Sequence, residues 1–242
     1  MPSNLSQEFG PNSESLDAEC LREIPAEYFL HRPLVLPLSG NTGPASLVCC
    51  LTTQGAISIV IYPSWAPLGT AHFLSMVRRG FLSSGVPLFR AIAGFLVQFG
   101  LSVDPAVQAA SDALGPIPDD PNWLPPHPAG GGGNGGAPRF KRGYVAFAGS
   151  GEHSRGTQLF IALADSDYLG AAPWEVPLGR LAGAASFATL ARLHTGYGDA
   201  PDQARLRREG AAYLRGEFPL LDWIHSCVLV PPTVPHLAQP LA

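Results

Sequence analysis

Arg90 stands in the run Leu88-Phe89-Arg90-Ala91-Ile92, and Gln98 follows in Phe95-Leu96-Val97-Gln98-Phe99-Gly100. An arginine is a permanent charge that offers several N–H donors in one plane. Set among phenylalanines and leucines, it could grip an uncharged polar group and strengthen its hold as that group became a better acceptor. Further on, Gln158 lies two residues before Phe160, so both would point to one face of a strand. Taken alone, an arginine beside apolar strand residues reads more simply as a surface ion-pair partner. Phe95 and Phe160 alone would read as core.

Other chemistries find less support. The seven histidines show no H-E-x-x-H or other ligand spacing, and there is no G-x-S-x-G elbow. Asp165 and Asp167 sit two apart in a turn-like stretch, where such residues are usually turn formers. The glycine run 130–133 follows no strand and opens no helix, which argues against a phosphate cradle. Four cysteines, Cys20, Cys49, Cys50 and Cys227, contain no C-x-x-C pair, so neither zinc nor thioredoxin-like chemistry is expected. Two arrangements of them stay open: buried thiols, or a disulfide between the first and last strands that uses Cys227. No metal and no cofactor is expected.

Composition narrows the class. The 242 residues allow one sizeable core with appendages. Charged residues are 14% of the chain, well below the usual quarter, and 27 glycines and 25 prolines fill the difference. The net charge is −4, and the one basic cluster, Arg205, Arg207 and Arg208, falls on an expected helix as a solvated face. Nucleic acid is therefore not an expected partner. No apolar run reaches the ~18 residues that span a bilayer. The first residues are polar with no apolar stretch behind them, so no signal peptide is read and the default compartment is the cytoplasm, with a secretory or organellar lumen left open.

The elements that would position these side chains are short. Strands are expected at 46–51 and at 56–62, the second with Ile57, Ile59 and Ile61 on one face by period 2, joined by a turn at Thr53-Gln54-Gly55. Pro67 and Gly69 open a helix, with Thr70 as its expected N-cap, Phe73, Met76 and Val77 as its buried side and Gly80 as its stop. Strands are expected at 88–92, 95–99, 143–148, 158–162, 176–181 and 223–230, and helices at 184–193 and 201–215. Residues 102–139 hold Pro116, Pro118, Pro121, Pro125, Pro126 and Pro128 ahead of the glycine run, and read as an inserted loop without pattern. About eight short strands with few helices imply a closed barrel. The expected plan is a mostly coil extension over 1–43, a barrel domain over 44–231 with the 102–139 insertion, and a tail over 232–242.

Four stretches in order resemble cyclophilin-type peptidyl-prolyl cis-trans isomerases. LFRAIAGFLVQFG (88–100) resembles the family's first signature, and Gly156-Thr157-Gln158-Leu159-Phe160-Ile161 the core of its second. PSWAPLGTAHFLSMVRRGF (63–81) looks like the family's first strand-to-helix passage, and 194–226 like a divergent branch with an added helix. The resemblance implies a mainly β fold: a closed eight-stranded antiparallel barrel capped by two helices, here with an extra C-terminal helix. It implies that Arg90 is the catalytic arginine and that Gln98 holds it. Phe95, Leu96, Phe160 and Leu169 would line a proline pocket, with Gln158, Ala148, Gly149 and Tyr168 around the bound backbone.

Departures from the pattern are also legible. Phe89 replaces a histidine, Leu96 a methionine, Gly149 an asparagine, and Tyr168 a tryptophan, the last implying weak cyclosporin binding. The usual pocket histidine is absent, and Trp174 or Glu175 falls near its place. The implied function is isomerisation of X-Pro bonds in client proteins, by a monomer or a subunit of a complex. The alternative is a catalytically weak proline-binding module.

Overall fold

The computed structural model describes residues 45–120 and 140–230. The chain outside them includes the expected extension and tail and the second half of the expected insertion. Period-2 alternation sets the sheet. Inward side chains such as Val48, Ile57, Ile59, Ile61, Val97, Phe99, Val145, Phe147, Leu159 and Ile161 form one core, each buried to 3% exposure or less. Their sequence neighbours point outward, which is how a strand residue one position away reaches a surface site.

The strands are β1 (Ser46–Thr52), β2 (Gly55–Ile61), β3 (Val86–Pro87), β4 (Arg90–Ile92), β5 (Leu96–Phe99), β6 (Tyr144–Phe147), β7 (Leu159–Ala162), β8 (Pro177–Ala182) and β9 (Trp223–Val230). They form one antiparallel sheet in the order β3-β9-β1-β2-β8-β6-β7-β5-β4. Nine strands stand where the sequence suggested eight. The reason is local: Val86–Pro87, just ahead of the expected strand from Leu88, pairs as a strand of its own, and the expected strand starts only at Arg90. β3 pairs with β9 and, two residues later, β4 pairs with β5. The two ends of the sheet are thus consecutive pieces of one segment, and the sheet curls back on itself through Leu88–Phe89. Leu88 points into the core, while Phe89 joins a second cluster with Leu101, Leu206, Tyr213, Leu214 and Leu221.

That second cluster accounts for the departure at Phe89. The helix expected over 201–215 is two helices, α4 (Gln203–Glu209) and α5 (Ala211–Glu217), broken at Gly210. Gly210 has φ +61°, and a Cβ there would lie 2.8 Å from the Val103 carbonyl oxygen, so glycine is required. The helices bring Leu206, Tyr213 and Leu214 onto Phe89. A phenylalanine is 1% exposed at this point, where a histidine would need a polar partner. The loop just before α4 also covers the edge of the sheet: the Ala91 N–H donates to the Gly198 carbonyl at 2.9 Å.

Three further expectations change. Helix α1 (Pro67–Arg78) begins three residues before Thr70, which sits buried inside it. Its own N-cap, Ala66, offers no side-chain acceptor. The Leu68 and Gly69 N–H groups donate instead to the two oxygens of Asp120, at 2.7 and 2.8 Å. Residues 102–120 are not a patternless loop. They hold helix α2 (Pro105–Asp112), capped by the Asp104 carboxylate, and a bridge from Ile117 to Arg155. The cap residue followed by proline was a readable start signal that the surrounding prolines obscured. The cysteine question resolves toward the first-to-last-strand bond. Cys50 and Cys227 are register partners and form a disulfide across 177 residues of chain, which restricts the unfolded state.

Helix α3 (Ala184–Arg192) and α1 pack on the barrel as the two expected capping helices. Among the described residues, no helix is long and apolar enough to cross a membrane.

Candidate active site

Arg90, Gln98, Phe160 and Ala146 are successive cross-strand partners on β4, β5, β7 and β6. Facing partners in a sheet share a face. Here it is the outer face, because the alternate residues Val97, Ile161 and Val145 are in the core. The row therefore runs from a cation, through an amide, to an apolar patch.

The polar end is a relay. The Arg90 Nη1 donates to Gln98 Oε1 at 3.1 Å, and Gln98 Nε2 donates to Gln158 Oε1 at 2.7 Å. Gln98 is 8% exposed, so burial fixes the relay's centre. Among the described residues no carboxylate lies within ion-pair distance of Arg90, which excludes the simple reading of an ion-pair partner. Strand β5 approaches β7 closely enough for this because of Gly100. Its φ is +100°, and a Cβ there would lie 2.2 Å from the Thr157 carbonyl oxygen. The Thr157 hydroxyl donates back to the Gly100 carbonyl at 2.8 Å and locks the two chains together.

The apolar end is a separate outer cluster. Leu96, Ala146, Phe160, Ala162, Leu169 and Phe140 are buried in it, with Phe95, Tyr144 and Ala148 at its margin. Of the residues singled out in the sequence, Phe95, Leu96, Ala148, Phe160 and Leu169 are thus brought together. Tyr168 is not part of the cluster and stands at its edge, 78% exposed. Gly149 borders the cluster through Ala148. Sequence reasoning missed Phe140, which is fully buried and stacks on Phe160 with centroids 5.5 Å apart. Phe140 ends a Gly/Pro-rich run, and no alternation of apolar residues leads into it to flag it.

Ser166 was also missed. Its hydroxyl accepts the N–H groups of Tyr168 and Leu169, both at 3.1 Å, and its backbone exchanges two hydrogen bonds with Phe140. One serine thereby fixes the backbone at Leu169 and anchors Phe140 in the same cluster.

The loop after Leu169 carries the largest departure from the expected pattern. A Cβ on Gly149 would lie 2.6 Å from Trp174 Cδ1, so the indole rests directly on the Gly149 backbone. Gly149→Ala is expected to displace Trp174 and cost about 1–3 kcal/mol of stability, as overpacking does. A denaturation midpoint equal to that of the parent protein would show that the indole yields freely.

Glu175 closes the same loop by accepting the Gly170 N–H at 2.9 Å. Burial pushes its carboxyl above the ordinary value of 4.5. The folded state therefore holds the proton more tightly than the unfolded chain. That contribution is complete below the unfolded value and is lost as pH rises through the raised one. Glu175→Gln keeps an acceptor for Gly170 and removes the titration. The variant is expected to gain on the parent as pH rises from about 4 to about 7, read as urea midpoints at each pH. Parallel midpoints across that range would contradict it.

Comparison with known proteins adds the family. The family model for cyclophilin type peptidyl-prolyl cis-trans isomerases matches residues 48–205. Peptidyl-prolyl cis-trans isomerase CYP65 of Arabidopsis thaliana is 28% identical over 118 residues, which are 49% of this chain and 18% of that protein. The chain thus matches less than a fifth of that relative's length. A crystal structure of a cyclophilin type peptidyl-prolyl cis-trans isomerase from Cryptosporidium parvum superposes with a TM-score of 0.50 at 18% identity. The superposition covers 77% of this chain and 98% of that one, and at that identity it speaks for the fold. With the family model spanning most of the barrel, this chain belongs to the cyclophilin-type peptidyl-prolyl cis-trans isomerase family.

Proposed function

We propose that the chain catalyses cis-trans isomerisation of X-Pro bonds in segments of client proteins, with residues 44–231 as the acting domain. The observation that carries the reading is Arg90 held by a neutral amide, without a carboxylate partner among the described residues, at the end of an apolar outer patch. Rotation about a peptide bond is slow because the nitrogen lone pair is shared with the carbonyl, at a barrier of about 18–20 kcal/mol. For X-Pro the two isomers are close in energy, yet they exchange over tens to hundreds of seconds. No nucleophile, metal or proton relay is needed. The twisted amide must be favoured over both planar forms.

In that twist the prolyl nitrogen regains its lone pair and becomes an acceptor. Arg90 supplies the donor, and the bond is strongest at the twist, which is differential binding of the transition state. Gln98 and Gln158 keep the guanidinium in plane and in place. Phe95, Leu96, Phe160 and Leu169 would grip the proline ring while the carbonyl side turns, and Ala148, Gly149 and Tyr168 would flank the backbone. A 10⁵-fold acceleration needs roughly 7 kcal/mol. One charge-assisted hydrogen bond nets about 1.5–3 kcal/mol. The rest falls to the water-poor patch and to the grip on the ring.

The test is exchange in a short Ala-Pro peptide, followed with and without the purified chain. Acceleration supports the reading, and a rate equal to the uncatalysed one overturns it. A second reading, a proline-binding module with little turnover, has one observation in its favour. Gly149 offers no side chain to the substrate backbone and is instead covered by Trp174. Peptide binding without acceleration would select it. The Cys50–Cys227 disulfide supports an oxidising compartment over the cytoplasmic default.

A further inference from the structure

The outer face of β1, β2, β8 and β9 lies away from the proline pocket. Leu47, Cys49, Val60, Ala182 and Val230 form a buried cluster there. Every one of them comes from those four strands, and no described helix contributes to the cluster. An outward barrel face of this kind meets water unless something lies on it. Yet Cys49 is 0% exposed, and Leu47, Val60 and Val230 are 5% or less. The face is covered.

The cysteines point to the cover. Cys49 points outward, opposite to Cys50, and is disulfide-bonded. Cys50 and Cys227 are bonded to each other on the inner side. The chain has four cysteines, which leaves Cys20. We propose that the segment preceding β1, residues 1–44, covers this face and that Cys20 is the sulfur bonded to Cys49.

The chemistry of the segment fits. Residues 21–38 carry Ile24, Tyr28, Phe29, Leu34, Val35 and Leu36, which suit an apolar face. Pro25, Pro33 and Pro37 lack N–H donors, so such a stretch can lie across a sheet without needing ladder bonds from it. Four strands spaced ~4.8 Å apart make a face roughly 15 Å wide. The roughly 25 residues between Cys20 and β1, at up to ~3.3 Å each, cross it and return with length to spare. The residues after β9 contain no cysteine and cannot make the bond. Formation is thiol–disulfide exchange with a small-molecule disulfide such as oxidised glutathione. Two cysteine thiols become one S–S bond, and the small disulfide is reduced to two thiols.

The test cleaves the full, non-reduced chain with trypsin after Arg22 and weighs the products in denaturant. Fragment 1–22 is expected to stay attached, to come off on reduction, and to come off without reduction in Cys20→Ser. It should remain attached when Cys50 and Cys227 are both replaced by serine, which assigns the bond to Cys49. Release of fragment 1–22 from the parent chain without reductant, or its attachment to a second copy, overturns the proposal. The cover is read by a dye that fluoresces on apolar surface. Deletion of 1–44 is expected to raise its signal several-fold, and deletion of 231–242 to leave it unchanged. The reverse pattern would assign the face to the C-terminal segment. The disulfide map of the parent chain decides the bond even if the deletion does not fold.

Discussion

Asp120→Ala is expected to lower folding stability by about 3–5 kcal/mol, the cost of removing the closer partner of a buried charge and a helix cap together. Arg155 is 0% exposed, and its Nη1 meets Asp120 Oδ2 at 2.8 Å, with both side chains fully buried. Its Nη2 donates to the Pro118 carbonyl, and the guanidinium lies 5.9 Å from the Phe147 ring centroid. Removing the carboxylate leaves a fully buried charge whose nearest remaining acid, Asp119, lies 3.6 Å from Nε. It also uncaps helix α1, because the same two oxygens accept the Leu68 and Gly69 N–H groups. A Cβ on Gly69 would lie 3.1 Å from both Asp120 and Arg155, so glycine makes room for the pair.

The reverse truncation should be milder. Arg155→Met leaves Asp120 with two N–H donors at a helix N-terminus, where a negative charge is favoured. The double variant Asp120→Leu with Arg155→Met should recover part of the single Asp120→Ala loss, since the fully buried pair leaves together, and only Asp119 then loses its contact with Arg155 Nε. For a chain of this size, the Asp120→Ala loss corresponds to a midpoint lowered by roughly 10 °C. Urea and thermal unfolding of the three variants measure it. Equal losses for Asp120→Ala and Arg155→Met would show that the helix cap contributes nothing.

What was legible in the sequence follows from what each residue must do locally. Alternation of Ile57, Ile59 and Ile61 reports a face, and a face is all that a strand needs. The break at Leu88–Phe89 was hidden because both residues are apolar, although one serves the barrel core and the other the α4–α5 cluster. Thr70 looked like a cap because a cap is normally local. The real cap comes from Asp120, 51 residues beyond Gly69, a distance over which spacing carries no information. In the candidate site, Arg90, Gln98 and Gln158 were marked by motif, and register then set them in one relay. Phe140 and Ser166 escaped because their roles are made by tertiary contact. The resemblance could place Trp174 near the expected pocket, but its seat on Gly149 could not be read.

Arg90→Ala is expected to reduce kcat/KM for an Ala-Pro peptide by at least tenfold, and by up to about a hundredfold. The range is the ~1.5–3 kcal/mol of one charge-assisted hydrogen bond converted to rate. The loss should fall mainly on kcat, because in the proposed mechanism the bond to the prolyl nitrogen strengthens only as the amide twists, while ring binding would rest on Phe95, Leu96, Phe160 and Leu169. Arg90→Lys keeps a charge but not the planar fork that meets Gln98 Oε1, so it should restore only part of the rate. Arg90 is half-buried on a short strand and holds no ion pair among the described residues, so folding should be little affected and the unfolding midpoint serves as the control. If KM rises while kcat holds, the arginine binds substrate in both states and does not select the twist. If neither changes, the guanidinium plays no part, and the pocket residues alone must account for any acceleration.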